Sequence, residues 1–320
     1  MNGKPVFLVP AKSIINFDSG FRHKLLCDGA TFTAGSACPY SCTFCYVENL
    51  MRKSPHLKGI QQKHWQVVIR RDGALVAIRA QLADRRGNPL FNDPADTRVI
   101  YASPLVDVAA NMELVHETIE LCKIILELTH WQIRLLSKST FLPFVAQGLE
   151  QFPSLRAAQR VIYGVSTGTL DNKLASAIEK GCPLVSRRIE SLHSLQDSGF
   201  RTFGMICPSL PHRDLTEFSS NILSAIRADR CEHIWAEVIN VRGDSMTRTV
   251  QGLMDAGFAR EAAALQKVSE DKVAWEDYAR ATFEVHAANC PASKLRFLQY
   301  VTAASRPWWE QQKSRGAVLL

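Results

Sequence analysis

The sequence predicts an α/β fold in which parallel strands close into a barrel or a partial barrel. Three observations carry that expectation. Short β-branched and aromatic runs alternate with amphipathic stretches of helical period. Strands separated by helices of about 10–18 residues form parallel βαβ units, and five or six such units recur between residues 31 and 239. Polar residues gather where the runs end, at the C-terminal side of the strands, which is where such folds keep their function.

Each element has a local reason. Residues 31–35 read as a weak strand leading into three closely spaced cysteines. Residues 98–103 (RVIYAS) form a strand that ends in Ser-Pro, and residues 111–128 follow as an amphipathic helix. Residues 131–136 are the next strand and 141–150 the next helix. Residues 160–166 (RVIYGVS) are a strand. Two helices follow at 170–179 and 186–198, closed by Gly181 and Gly199. A strand at 202–207 is stopped by Pro208 and Pro211, then come a helix at 215–227 and a strand at 233–239. Residues 246–288 are helical with no clear strand. This divides the chain into an N-terminal extension (1–29), a barrel (30–240) and a mostly helical C-terminal extension (241–320).

Composition narrows the class. The chain has 320 residues, 46% of them hydrophobic and 22% charged, which excludes disordered and collagen-like classes. No apolar run approaches the ~18 residues that span a bilayer. The start MNGKPVFLVPAKS lacks a cationic stretch followed by an apolar core, so no secretory leader is expected and a cytoplasmic location is. The net charge of +7 (38 − 31) is concentrated in residues 52–86, which hold nine basic and two acidic residues. Such a segment attracts a polyanion or an acidic protein. Its only aromatic is Trp65, too few to stack several bases, which favours an acidic protein over nucleic acid.

The decisive string is Cys38-Pro39-Tyr40-Ser41-Cys42-Thr43-Phe44-Cys45-Tyr46. Its C-x3-C-x2-C spacing puts three thiols on one tight loop. Three thiolates can hold three irons of a 4Fe–4S cubane and leave the fourth iron open to a ligand. A structural zinc site would need four ligands, usually as two pairs, and no second C-x2-C pair is present. The rival reading from another class is a zinc-stabilised nucleic-acid-binding module, supported by the basic segment and by Trp308 and Trp309. Those tryptophans also suit docking of the tail.

With Phe44 before Cys45, the loop resembles that of the radical SAM superfamily, C-x3-C-x-aromatic-C. Within it the chain is most similar to the spore photoproduct lyase-like branch, over residues 30–240. The likeness rests on Leu136-Ser137-Lys138-Ser139, on Gly164-Val165-Ser166-Thr167, and on Glu179-Lys180-Gly181-Cys182-Pro183 followed by Arg187-Arg188-Ile189-Glu190. It continues from Gly199 to Pro208 and Pro211. The resemblance implies a partial (β/α)6 barrel and two cofactors, a 4Fe–4S cluster and S-adenosylmethionine (SAM), whose reductive cleavage drives lyase or transferase chemistry. It implies that Lys138 and Ser166 contact the SAM carboxylate, with Arg188 near the same end. It also implies that the backbone of Tyr46 lies against adenine. A carboxylate beside an ammonium and a hydroxyl gains charge-assisted hydrogen bonds.

Two departures limit what carries over. The lyase branch has a hydrogen-donating cysteine beyond its second strand, where this chain reads Ala102-Ser103-Pro104-Leu105-Val106-Asp107, and a tyrosine where this chain has Phe44. The likeness therefore speaks to the cofactor and not to the substrate, for which a small molecule is the expectation. Cys207, at a strand end, is the candidate hydrogen donor. Asp107 is a candidate for the SAM amino group or ribose, or for a helix cap near Asn111. Ser166 equally suits capping the helix at 170–179. An alternative reaction is aminocarboxypropyl transfer to a soft acceptor such as a trivalent metalloid, with Cys27, Cys231 and Cys290 as possible soft ligands.

Overall fold

The computed structural model describes residues 4–53, 57, 59–102, 104–240 and 244–320. Lys58, Ser103 and the side chain of Arg52, which fall in the segments discussed above, lie outside the described residues.

The strands, in chain order, are β1 (Val6–Pro10), β2 (Ile15–Asn16), β3 (Ala30–Phe32), β4 (Gly35–Ala37), β5 (Ser41–Cys42), β6 (Val68–Asp72) and β7 (Val99–Ala102). They continue as β8 (Gln132–Ser137), β9 (Val161–Ser166), β10 (Glu179–Lys180), β11 (Arg201–Ser209), β12 (Ile234–Val238), β13 (Leu295–Gln299) and β14 (Ala317–Leu319). Among the described residues the main sheet runs β14-β13-β12-β11-β9-β8-β7-β3-β2. Every neighbouring pair in it is parallel except β2 with β3. The fold is thus α/β with a parallel sheet. The six expected strand segments correspond to β3, β7, β8, β9, β11 and β12, which are consecutive across the sheet. Helices Met112–Leu128, Leu142–Glu150, Val185–Asp197 and Leu215–Ala225 connect them.

The two faces of the sheet differ because side chains alternate along each strand. On β8, Ile133 and Leu135 join the large core under the helices. Arg134 and Leu136 point the other way. That inner face packs Tyr101, Ile162, Phe203, Met205, Trp235 and Leu298 around the turn that contains Leu26 and Cys27. The Arg134 guanidinium lies 4.7 Å from the Trp235 ring centroid and donates to the Leu26 carbonyl at 2.5 Å. A buried cation is tolerated there because it is both stacked and hydrogen-bonded.

The C-terminal segment is mostly helical, with helices Ser245–Asp255, Ala259–Glu270 and Lys272–Asn289. Two strands that the sequence reading did not assign follow them. β13 pairs with β12 and β14 with β13, so the C-terminal residues extend the main sheet. The tryptophan pair belongs to this packing. Trp309 is fully buried, stacks on Phe297 and donates from Nε1 to Glu276 at 2.6 Å. No described helix is long and apolar enough to cross a membrane.

Close backbone approach shapes the strand ends. A Cβ on Gly168, just past β9, would lie 1.8 Å from the Pro208 carbonyl oxygen and 2.6 Å from its carbon. Both atoms are backbone and cannot rotate away. Gly168→Ala is therefore expected to destabilise by at least the ~1–3 kcal/mol of ordinary overpacking. In a thermal melt the midpoint should drop by several degrees; an unchanged midpoint would show that the β9 and β11 ends are not in contact.

Candidate active site

The cysteine loop starts where β4 ends and is gripped from several sides. β5 pairs antiparallel with β10, so Cys42 faces Glu179 and Ser41 faces Lys180. The Thr43 N–H donates to the Ile178 carbonyl at 2.8 Å, and the Cys45 N–H donates to the Cys42 carbonyl at 3.2 Å. Lys4 Nζ donates to the Tyr40 carbonyl and to Ser41 Oγ. Helix Ser245–Asp255 closes the other side. Thr249 Oγ1 shares a 2.9 Å hydrogen bond with Thr43 Oγ1, and Arg248 Nη2 donates to the Cys45 carbonyl at 3.3 Å. The Arg248 guanidinium also lies over the Trp65 ring.

The thiols feel burial and one another. Burial, reinforced by the neighbouring Cys42, pushes the Cys45 thiol up to about 12. Burial pushes Cys38 up as well, with Cys42 and Cys45 acting in the same direction. Loading a metal onto such thiols must displace their protons. Among the described residues, no group of three or more His, Cys, Asp or Glu side chains converges as the ligands of a single ion do. A tetrahedral zinc site needs that convergence. Three thiolates on three separate irons of a cubane do not, and cysteine sulfur is the donor such clusters take. The loop's residues fit a 4Fe–4S cluster.

Beside the loop lies a buried ion network. Glu179, 3% exposed, meets Lys138 Nζ at 3.0 Å and Arg188 Nη1 at 2.5 Å. Burial disfavours the Glu179 carboxylate, yet the two cations outweigh it and hold its pKa below the usual range. Burial likewise opposes the Lys138 ammonium, and Glu179 outweighs it, so that pKa lies above the ordinary lysine value. Lys138 Nζ also donates to Ser166 Oγ at 2.8 Å and sits over the Phe44 ring. Arg188 donates from Nε to the Pro183 carbonyl and from Nη1 to the Ser166 carbonyl. Asp107 accepts from the Lys138 N–H and from Ser137 Oγ, each at 2.7 Å. Its burial raises its pKa against those hydrogen bonds.

The structure thus gathers Cys38, Cys42, Cys45, Asp107, Lys138, Ser166 and Arg188 around one loop. Neither helix-cap reading holds. Asn111, not Asp107, caps helix Met112–Leu128, and Asp171, not Ser166, caps helix Asn172–Ile178. Tyr46 is 47% exposed and its hydroxyl donates to the Pro104 carbonyl. Cys207 belongs to a second polar group. Its Sγ lies 4.0 Å from Glu237 Oε2, and both Glu237 oxygens accept from Lys24 Nζ at 3.1 and 3.2 Å. Burial, then Glu237, pushes the Cys207 thiol up to about 12. Cys27, Cys231 and Cys290 are each buried and form no ligand group among the described residues.

Sequence reasoning missed Glu179, Cys182, Arg248 and the Lys24–Glu237 pair. Glu179 and Cys182 lie in the Glu179–Pro183 stretch, which carries no local signal for either role. The pairing partners are distant in the chain, so no local pattern marks them. The basic segment is also less free than its charge suggests. Arg70 is paired with Glu113 and Glu117, Arg79 with Glu127, and Lys63 with Glu48.

No family model matches the chain, and no curated protein matches it. Solved structures do. A spore photoproduct lyase complexed with dinucleoside spore photoproduct has a TM-score of 0.55 and 12% identity, covering 77% of this chain and 66% of that one. A mutant of that lyase with bound AdoMet and the same dinucleoside has a TM-score of 0.54 at the same identity and coverage. The chain therefore spans just under two thirds of the length of these lyase chains. The chain shares the fold of these lyase structures.

The Glu179 network makes a pH-dependent prediction. Removing one partner of a buried pair leaves uncompensated charge and costs about 3–5 kcal/mol. Glu179→Gln should lose roughly that much at pH 7 in urea unfolding. The folded-state pKa is depressed, so the contribution is present above the unfolded value of about 4.3 and fades as pH falls through the folded value. The gap between wild type and variant should narrow at low pH. A gap that is small at pH 7, or constant down to acid, contradicts the buried ion network.

Proposed function

We propose that the chain is a radical SAM enzyme that holds a 4Fe–4S cluster through Cys38, Cys42 and Cys45, cleaves SAM reductively and acts on a small molecule. The observation that carries this reading is the C-x3-C-x2-C loop lodged against Lys138, Glu179 and Arg188 at the strand ends. We read the sheet as a partial (β/α)6 barrel whose mouth is this site, with residues 1–29 and 241–320 as extensions and the latter clamping the loop.

When bound and reduced, the cluster would supply the electron that breaks a sulfonium C–S bond of SAM and yields a 5′-deoxyadenosyl radical. The chain's own residues have separable duties. Lys138 would offer its ammonium, and Ser166 its hydroxyl, to the SAM carboxylate. Glu179 holds Lys138 charged beforehand, and Arg188, fixed by Glu179 and two carbonyls, acts as a positioning residue. Asp107 fixes the backbone of Lys138, which makes it a positioning group more than a SAM ligand. Tyr46 would run its backbone beside adenine. Cys207 is the proposed hydrogen-donating thiol, and the adjacent Glu237–Lys24 pair would hold its side chain in place. No observation favours aminocarboxypropyl transfer to a metalloid, since Cys27, Cys231 and Cys290 do not converge.

Anaerobic preparation tests the reading. Wild-type protein should be brown, bind about four irons and convert SAM to 5′-deoxyadenosine, read by mass spectrometry. Changing Cys38, Cys42 or Cys45 to Ala should abolish both colour and product while circular dichroism stays unchanged. Methylthioadenosine as the product, or a single variant that keeps full turnover, would sink the assignment. Lys138→Ala should keep the cluster spectrum and weaken SAM binding roughly 30- to 1000-fold, the effect of ~2–4 kcal/mol for a desolvated charge contact.

The proposed electron donor is a small acidic protein docking on the basic segment. Turnover driven by such a protein should fall with added salt, because exposed charges are screened within about 10 Å at 0.1 M. Dithionite-driven turnover should not. Equal salt dependence with both reductants removes the docking proposal.

A further inference from the structure

Cys182 has no part in the function proposed above, yet it is the thiol that touches the cysteine loop. Its Sγ lies 3.7 Å from Cys42 Sγ, across 140 residues of sequence. The contact is built by the fold. The β5–β10 bridge sets Cys42 opposite Glu179. A turn then folds the chain back, with the Cys182 N–H donating to the Glu179 carbonyl at 3.0 Å. Gly181 makes the turn possible with φ of +83°, a region open to glycine and costly for other residues. Disulfide bonding needs two sulfurs near 2 Å with their Cα atoms within about 7 Å. Sulfurs already in contact on adjoining backbone segments need only small side-chain rotations to meet it.

We propose that Cys42 and Cys182 form a redox modification site, in which Cys182 is the resolving thiol that closes a reversible disulfide with Cys42 when the loop carries no iron. A hydroperoxide is the oxidant. The Cys42 sulfur attacks one peroxide oxygen, the O–O bond breaks, and Cys42 becomes a sulfenic acid while hydroxide takes a proton and leaves as water. The Cys182 sulfur then attacks the Cys42 sulfur. The S–S bond forms, the S–O bond breaks, and a second water leaves. Overall two thiols lose two electrons and two protons, and one hydrogen peroxide becomes two waters. A sulfenic acid with a thiol at hand is resolved to a disulfide; without one it proceeds to irreversible acids. The disulfide withdraws Cys42 from iron binding and preserves it for later reloading. Only this consequence rests on the proposed cluster; the thiol pair stands on its own.

The test uses the full chain, prepared without iron and fully reduced, then treated with an excess of hydrogen peroxide, enough for the successive oxidations that carry an unresolved thiol to sulfinic and sulfonic acid. Peptide mapping by mass spectrometry without reductant should recover a peptide linking Cys42 to Cys182. After dithiothreitol, iron uptake should return to that of untreated protein. In Cys182→Ser and Cys182→Ala the link is absent, Cys42 is found as sulfinic or sulfonic acid, and iron uptake after dithiothreitol falls several-fold below that of untreated variant. Free Cys182 in oxidised wild type, a Cys42 link to Cys38 or Cys45 instead, or equal recovery in the variants overturns the proposal. Untreated reduced protein separates this from the cluster reading. If it takes up no iron while the Cys42–Cys182 link still forms, the cluster assignment has failed and the thiol pair has not.

Discussion

The buried Glu179 carboxylate is the constraint around which the site is arranged. It sits at the start of β10, opposite Cys42, and meets Lys138 from the end of β8 and Arg188 from helix Val185–Asp197. A charge so enclosed depends on opposite charges held in place beside it. The surrounding structure holds both of them. Arg188 is anchored on two carbonyls, and Lys138 is anchored through its own N–H by Asp107 and through Nζ by Ser166. Three strand ends and the cysteine loop are thereby tied to one carboxylate.

The loop itself has little internal structure to hold it. β5 is two residues long, and the three cysteines must keep their spacing without a helix or a long strand beneath them. Rigidity comes from outside. The β10 bridge, the Thr43 hydrogen bond to Ile178, the Lys4 ammonium and the Thr43–Thr249 contact together fix the loop from Tyr40 to Thr43. Helix Ser245–Asp255 therefore serves the site even though it follows the last of the six core strands. Such support from outside is what the proposed cluster site would require of its ligands.

Polar groups at the strand ends divide into two poles. The cysteine loop with Lys138, Glu179 and Arg188 is one. Lys24, Cys207 and Glu237 are the other, reached from β11, β12 and the turn Gly20–Lys24. Below them the inner face packs a mainly apolar cluster around the stacked Arg134. This gradient, dry at depth and charged at the rim, matches a site that orients a polar molecule while excluding bulk water.

The sequence by itself determined the alternation of strands and helices, the six central strands and the three-cysteine loop. All of these are local: a period, a stop residue or a spacing within eight positions marks each one. It did not determine β13 and β14, since LRFLQ has no β-branched residue and AVL is three residues long, and neither announces a strand until the edge of β12 supplies hydrogen-bond partners. Nor could it assign Asp107 and Ser166 between capping and network roles. Asn111 and Asp171 directly precede the two helices and take the caps, while Asp107 and Ser166 bond to Lys138, which only the fold brings to them. The charge of residues 52–86 was legible, but its neutralisation by Glu113, Glu117 and Glu127 was not, because those partners sit on another element. Glu179 and Cys182 were beyond reach for the same reason. Their meaning lies in atoms 41 and 140 residues away, at Lys138 and Cys42, and only tertiary packing brings such atoms into contact.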